Sequence, residues 1–185
     1  MRKAFGLAAM AAMMTLSSVP ALASLPVGAQ APDFTTRGAK GGAIFTIHLA
    51  EALKKGPVVL YFFPAAFTTG CTAEAREFAD KSEEFHKAGA TIIGMSNDPV
   101  DTLARFSKEE CRDKFAVASA GPDIIKGYDV ALPPMEGRPM LAGKTNRTSY
   151  VIAKSGRIAF VYSDLNYKDH VSGTLAAVKS LTGKK

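Results

Sequence analysis

Two cysteines, Cys71 and Cys111, are the residues of this chain best suited to covalent chemistry at neutral pH, and Cys71 is the better placed. A cysteine attacks as its thiolate. A free thiol pKa of about 8.5 leaves little of that form unless a helix N-terminus or a nearby cation favours it. Cys71 follows an apolar run, Pro57 to Phe63, and a turn-rich loop, Pro64 to Gly70, and it opens a stretch with helical spacing. The backbone N–H groups of such a first turn have no partner inside the helix. The edge beyond a strand's carboxyl end is also where open α/β sheets place their ligands. The chemistry implied is nucleophilic attack by sulfur. The same position suits a buried cysteine that only fills space, and an even pair of cysteines suits a structural disulfide in an oxidising compartment. His48, His86 and His170 are scattered without ligand spacing, so neither a metal site nor a cofactor is expected. His86 reads as a solvated helix residue, and Met135 and Met140 as gap-filling loop residues rather than copper ligands. Asn146-Arg147-Thr148 has the form of a glycosylation sequon.

The elements that must position Cys71 follow from hydrophobic periodicity. Phe34 to Leu49 alternates loosely and predicts a hairpin turned among Gly38, Gly41 and Gly42, with a helical turn over Leu49 to Leu53. Pro57 to Phe63 is continuously apolar, as expected of a strand buried on both faces. A helix is predicted from about Cys71 to Lys87 with Cys71, Ala75, Phe78, Phe85 and Ala88 on its apolar stripe. A second buried strand covers Thr91 to Met95. Pro99 then opens a helix carrying Val100, Leu103, Ala104, Ser107 and Cys111 on one face. Phe115 to Ala118 predicts a short strand, Ile124 to Tyr128 a helical turn, and Leu132 to Lys144 a Pro/Gly-rich loop. Thr148 to Ile152 and Arg157 to Tyr162 form a hairpin turned at Lys154-Ser155-Gly156, and a helix from about Lys168 to Leu181 closes the chain. The sum is an α/β domain, a mixed sheet layered by helices.

The local string around the cysteine narrows the reading. Pro64-Ala65-Ala66-Phe67-Thr68-Thr69-Gly70-Cys71 matches the Pro-x-x-x-Thr-x-x-Cys signature of the peroxiredoxins and directly follows an apolar strand. Glu74 stands where many of that family carry a glutamate. Arg147-Thr148-Ser149-Tyr150-Val151-Ile152 resembles the strand that begins with the family's active-site arginine, and Ala31-Pro32-Asp33-Phe34 its usual opening. The likeness extends over nearly all of residues 26–182 and leans to the bacterioferritin-comigratory, or peroxiredoxin Q, branch. The resemblance implies a thioredoxin-like fold with an N-terminal β-hairpin, and a thiol-dependent peroxidase acting on hydrogen peroxide or organic hydroperoxides. Cys71 would become a sulfenic acid. Thr68 would accept from the peroxide and donate to the thiolate, since a hydroxyl does both. Arg147 would favour the thiolate and hold the peroxide oxygens with its fork, with Glu74 orienting it. Pro64 would limit access of water, and the Cys71 N–H would polarise the attacked oxygen. Members of this branch often carry a resolving cysteine five positions after the reactive one, where this chain has Arg76; others place it on the next helix, which makes Cys111 the candidate here, the alternatives being a Cys111 that only fills the core and a one-cysteine cycle with an external thiol. A disulfide needs Cα atoms within about 7 Å, so its formation is expected to require local unwinding.

Composition bounds the remaining choices. The chain has 185 residues, 47% of them hydrophobic, which suits one core over residues 24–185. Residues 1–23 read as an export signal: Arg2 and Lys3, an apolar stretch from Ala4 to Leu16, and Ala21-Leu22-Ala23 as a cleavage site, with an uncleaved anchor as the alternative. A periplasmic or secreted location follows, with no membrane contact once the signal is removed. The net charge of +6, of which Arg2 and Lys3 supply two, is spread along the chain, which argues against nucleic acid as a partner. The expected partners are a hydroperoxide and a thiol reductant, either a thioredoxin-like protein or a small thiol. A monomer is expected, with a dimer as the alternative. Rival functions are a thioredoxin-fold disulfide exchanger, opposed by Thr68 where Cys-x-x-Cys needs its first cysteine, and a non-enzymatic domain stapled by a Cys71–Cys111 disulfide.

Overall fold

The run Pro57 to Phe63 becomes the central strand because both of its faces are covered: Val58 to Phe62 are all buried. Val59, Tyr61 and Phe63 point into one apolar cluster and Val58, Leu60 and Phe62 into another, which is the two-residue period of a pleated strand. The computed structural model describes residues 24–134, 137 and 141–183. The export signal read at residues 1–23 and the loop methionines Met135 and Met140 lie outside the described residues.

Along the chain the elements are β1 (Thr35–Lys40), β2 (Ala43–His48), α1 (Leu49–Lys55), β3 (Val58–Phe62), α2 (Thr69–Lys87) and β4 (Thr91–Ser96). They continue with α3 (Val100–Glu109), β5 (Ala116–Ser119), α4 (Pro122–Gly127), β6 (Thr148–Ile152), β7 (Ile158–Ser163) and α5 (His170–Thr182). The strands form one mixed sheet in the order β2-β1-β5-β4-β3-β6-β7. β3, β4 and β5 run parallel, and the remaining pairings are antiparallel. Phe78 of α2, Leu103 and Phe106 of α3 and Val171 of α5 belong to the cluster on one face. Leu49 and Leu53 of α1 and Tyr128 after α4 belong to the other. This is the expected layered α/β architecture with its N-terminal hairpin. Among the described residues no helix is long and apolar enough to cross a membrane.

Three local expectations need correction. Gly38 lies inside β1, not in the hairpin turn; a Cβ there would stand 2.5 Å from Ile47 Cδ1 and 2.7 Å from the Val117 carbonyl, so glycine is required by close approach. The turn itself is Gly41-Gly42, at φ of 59° and 83°, values that suit glycine. α2 starts at Thr69, which places Cys71 inside its first turn. α3 ends at Glu109, so Cys111 lies beyond the helix and not on its face. The N–H groups of Glu110 and Cys111 both reach the Phe106 carbonyl, and Arg112 and Asp113 then turn the chain at φ of 49° and 58°. Helical spacing alone does not reveal such a stop, because neither left-handed residue is a glycine.

Two contacts hold the loop after β3. Tyr61 is stacked with Phe63 and Phe78, centroids 5.5 and 4.4 Å away, and its ring lies across Gly94 of β4. Asp98, buried just after β4, accepts from the Ala66 N–H at 2.7 Å, the Ser96 hydroxyl at 2.9 Å and Lys144 Nζ at 3.0 Å. Gly94→Ala puts a methyl 2.8 Å from Tyr61 Cζ, and stacking leaves the ring no room to yield. A loss of about 2 kcal/mol is expected, read as a lower urea midpoint with unchanged slope. Asp98→Ala strands the Ala66 N–H and Lys144. It is expected to cost about 2–3 kcal/mol on the same scale and to make the 64–70 loop exchange its amides faster.

Candidate active site

Pro64, half-buried, marks the point where the chain leaves β3, and the next four residues turn it into α2. Phe67 adopts φ of 64°, an uncommon conformation for a bulky aromatic, and is held there by an edge contact with Phe106 at 5.2 Å and by Arg105 over its ring. Thr68 is the N-cap of α2 in an extended conformation, but its side chain makes no capping bond. Its hydroxyl donates to the Ala65 carbonyl at 2.9 Å. The proton expected for the thiolate is therefore committed to the loop, while the oxygen lone pairs remain available on an exposed residue. Cys71 is third in the helix, 2% exposed, with its N–H among the donors that helix geometry leaves unpaired.

Arg147, just before β6, is engaged by all three guanidinium nitrogens. Nη2 donates to Cys71 Sγ at 3.4 Å, Nη1 to Glu74 Oε2, and Nε to the Leu165 carbonyl at 2.9 Å. Cys71 and Glu74 are three apart on α2 and so share a face, which lets one guanidinium hold both. Gly70 makes the approach possible, since a Cβ there would lie 3.3 Å from Nη2. Arg147 is 4% exposed and Glu74 fully buried. Burial works against the Arg147 charge, and Glu74 and Cys71 beside it more than restore it. Burial pushes the Glu74 carboxyl up to about 8, against the pull of Arg147.

His170, which sequence spacing treated as an isolated histidine, lies beneath this pair and is fully buried at the start of α5. Its Nε2 donates to the Asp164 carbonyl at 2.9 Å, and its Nδ1 is 2.8 Å from Ser149 Oγ and 3.7 Å from Glu74 Oε1. Burial holds it down at about 4. No motif signals it, because the contact forms only when α5 packs on α2 and β6. Asp98 likewise carries no motif, since its partners Ala66 and Lys144 are distant in sequence.

Cys111 is fully buried as a free thiol in the same apolar cluster as Cys71, which is also free. Burial, with Glu110 and Asp113 nearby, pushes the Cys111 thiol well up, so where it sits it is a poor nucleophile. Two ion pairs tie its segment to α2: Arg76 Nε to Glu110 Oε2 and Arg112 Nη1 to Asp80 Oδ1, each 2.7 Å. The structure thus joins Cys71, Glu74 and Arg147 directly, keeps Thr68 and Pro64 on the loop leading to them, and places Cys111 within the core. Among the described residues no group of three or more His, Cys, Asp or Glu could hold a metal ion. A surface cavity of about 450 Å³ is lined by Lys40, Phe45, His48 and Phe115 but by none of these site residues.

A sulfur held by a guanidinium at the positive end of a helix is suited to attack an electrophile that leaves as an anion. Comparison with known proteins agrees. The family model described as the AhpC/TSA family matches residues 27–161. The chain is 34% identical over 155 residues to "Peroxiredoxin Q, chloroplastic" of Oryza sativa subsp. japonica, covering 83% of this chain and 67% of that protein. It is 29% identical over 162 residues to "Peroxiredoxin Bcp" of Bacillus subtilis, covering 87% and 99%. Its fold matches the crystal structure of peroxidoxin BcpB from Mycobacterium tuberculosis with a TM-score of 0.72 at 29% identity, covering 84% of this chain and 97% of that one. The thioredoxin-like architecture expected from the motif is therefore present, and the chain belongs to the AhpC/TSA family, among the peroxiredoxins.

Proposed function

We propose that the chain is a thiol-dependent peroxidase in which the Cys71 thiolate attacks one oxygen of a hydroperoxide. The S–O bond forms as the O–O bond breaks, the departing oxygen takes a proton and leaves as water or an alcohol, and Cys71 is left as a sulfenic acid. The observation that carries this reading is the Arg147 Nη2 contact with Cys71 Sγ, with Glu74 holding the other arm of the fork. Arg147 favours the thiolate and then faces the negative charge that moves from sulfur to the leaving oxygen. The unpaired Cys71 N–H acts on the attacked oxygen. Thr68, its proton given to Ala65, accepts from the peroxide O–H, and Pro64 restricts water at the loop. Glu74 orients the arginine.

Regeneration requires a thiol. We assign it to Cys111, which attacks the sulfenic sulfur, releases water and forms an intramolecular disulfide. Supporting this, Cys111 lies past the end of α3, shares a cluster with Cys71 and is followed by two left-handed residues. Opening this segment breaks little regular structure. A thioredoxin-like protein or a small thiol then reduces the disulfide. Residues 1–23 support export, hence a periplasmic or secreted site of action, and the protein works as a monomer. A disulfide exchanger is disfavoured by Thr68, and a stapled domain by the Arg147 contact that Cys71 Sγ makes.

Peroxide consumption by the mature protein with a panel of thiol reductants tests the activity, and absence of turnover with every reductant overturns it. Cys71→Ser is expected to abolish consumption. Arg147→Lys, which loses the fork, should lower the second-order rate with hydrogen peroxide by roughly 10²-fold. Peroxide-treated wild type should show an intramolecular disulfide by mass, whereas Cys111→Ser stops at sulfenic acid. A Cys111→Ser protein that turns over unchanged with its reductant overturns the resolving role.

A further inference from the structure

The donors and acceptors beneath Arg147 do not balance. Nε2 of His170 faces a carbonyl, which only accepts, so Nε2 carries the hydrogen and Nδ1 of a neutral ring has none. The Ser149 hydroxyl, 2.8 Å away, then donates to Nδ1. Glu74 Oε1, 3.7 Å from the same nitrogen, is buried without a hydrogen-bond partner, while Oε2 receives Nη1 of Arg147. An ionised carboxylate and a neutral imidazole would therefore set two acceptors against each other in a site closed to water, and an unpaired buried carboxylate oxygen is costly. One added proton removes the conflict: on Glu74 it neutralises the carboxyl, and on Nδ1 it lets the ring donate while the Ser149 hydroxyl turns to accept.

We infer that Glu74 and His170 share one proton, and that this keeps the pair neutral so that the charge of Arg147 is left for Cys71. His170 thereby becomes a positioning residue for the peroxidase chemistry, acting on sulfur through Glu74 and Arg147. The inference rests on the reading of Arg147 as the partner of the Cys71 thiolate. The surroundings agree with it. Glu77 faces Glu74 from α2 and Tyr61 faces it from β3, Arg147 and Ser149 reach the pair from β6, and Cys71 meets it through Arg147. Tyr162 of β7 meets the His170 ring edge-on at 4.7 Å, and Asp164 and Asp169 flank it from the segment before α5. Of these, Ser149 and Glu74 are the groups placed at Nδ1. Burial raises the Glu74 carboxyl to about 8 and lowers His170 to about 4, the direction that holds the shared proton on the carboxyl side.

Linkage supplies the test. If the neutral pair favours the thiolate, the thiolate must favour the protonated pair by the same factor. The proton is read directly on reduced protein, by infrared detection of a buried carboxylic acid band absent from Glu74→Gln and by nitrogen NMR of His170. At pH 7 the wild type is expected to carry one proton on the pair, with the spectra showing which atom holds it. Cys71→Ser should release it about one pH unit lower, a tenfold coupling. His170→Gln, whose amide donates to Oε1 and keeps Glu74 ionised, should raise the midpoint of the Cys71 thiolate absorbance by about the same amount. An ionised Glu74 with a neutral imidazole in the wild type at pH 7 overturns the inference, as does an identical pair titration in Cys71→Ser. The wild-type spectra decide the matter even if the His170 variant fails to fold. Peroxide turnover enters neither readout, so failure here leaves the peroxidase reading standing, and failure of turnover leaves this test intact.

Discussion

A guanidinium buried between a carboxyl group and a sulfur is the constraint on which the rest of this structure depends. Isolated charge is expensive to bury, and Arg147 is tolerated only because Glu74, Cys71 and the Leu165 carbonyl take its three nitrogens. That requirement reaches into the fold. β6 must pair with β3 so that Thr148 stands opposite Phe62, which carries Arg147 to the end of the central strand where the loop toward α2 begins. A one-residue slip in this register would turn the arginine to the other face of the sheet. α2 must begin early enough for Cys71 to fall in its first turn, with Glu74 one turn on. Gly70 must lack a side chain.

The loop between β3 and α2 accepts strain to meet these conditions. Phe67 sits in a left-handed conformation that costs of order 1–3 kcal/mol, and Thr68 gives up its capping bond to hold Ala65. The α2 N-terminus thus keeps its free N–H groups for a reacting oxygen. The opposing gain comes from Asp98, which gathers three donors from the loop, β4 and Lys144, and from the stacked Tyr61, Phe63 and Phe78 below. A rigid floor and a strained rim suit a site that must be organised before substrate arrives. The Cys111 side is built differently, with surface ion pairs to α2 and a chain reversal in place of a helix around a thiol that shares the cluster of the floor.

The sequence by itself determined the class of chemistry and the scaffold. Both were written in short-range signals: the buried-strand run of Val58 to Phe62, the punctuation of Pro64 and Gly70, helical spacing from Ala75 to Phe85, and the Pro-x-x-x-Thr-x-x-Cys string. Each depends on residues within a turn or two of one another, where local sterics and periodicity dominate. What only the tertiary structure decided are the contacts that need distant faces to meet. His170 entered the site because α5 packs across α2 and β6. Asp98 became a latch because β4 ends beside the loop. Cys111 moved off its predicted helix face because packing, not propensity, pays for two consecutive left-handed residues that are not glycine. Burial raises Glu74 and lowers His170 for the same reason: water is removed by the whole assembly, and no local pattern in the chain records where that happens.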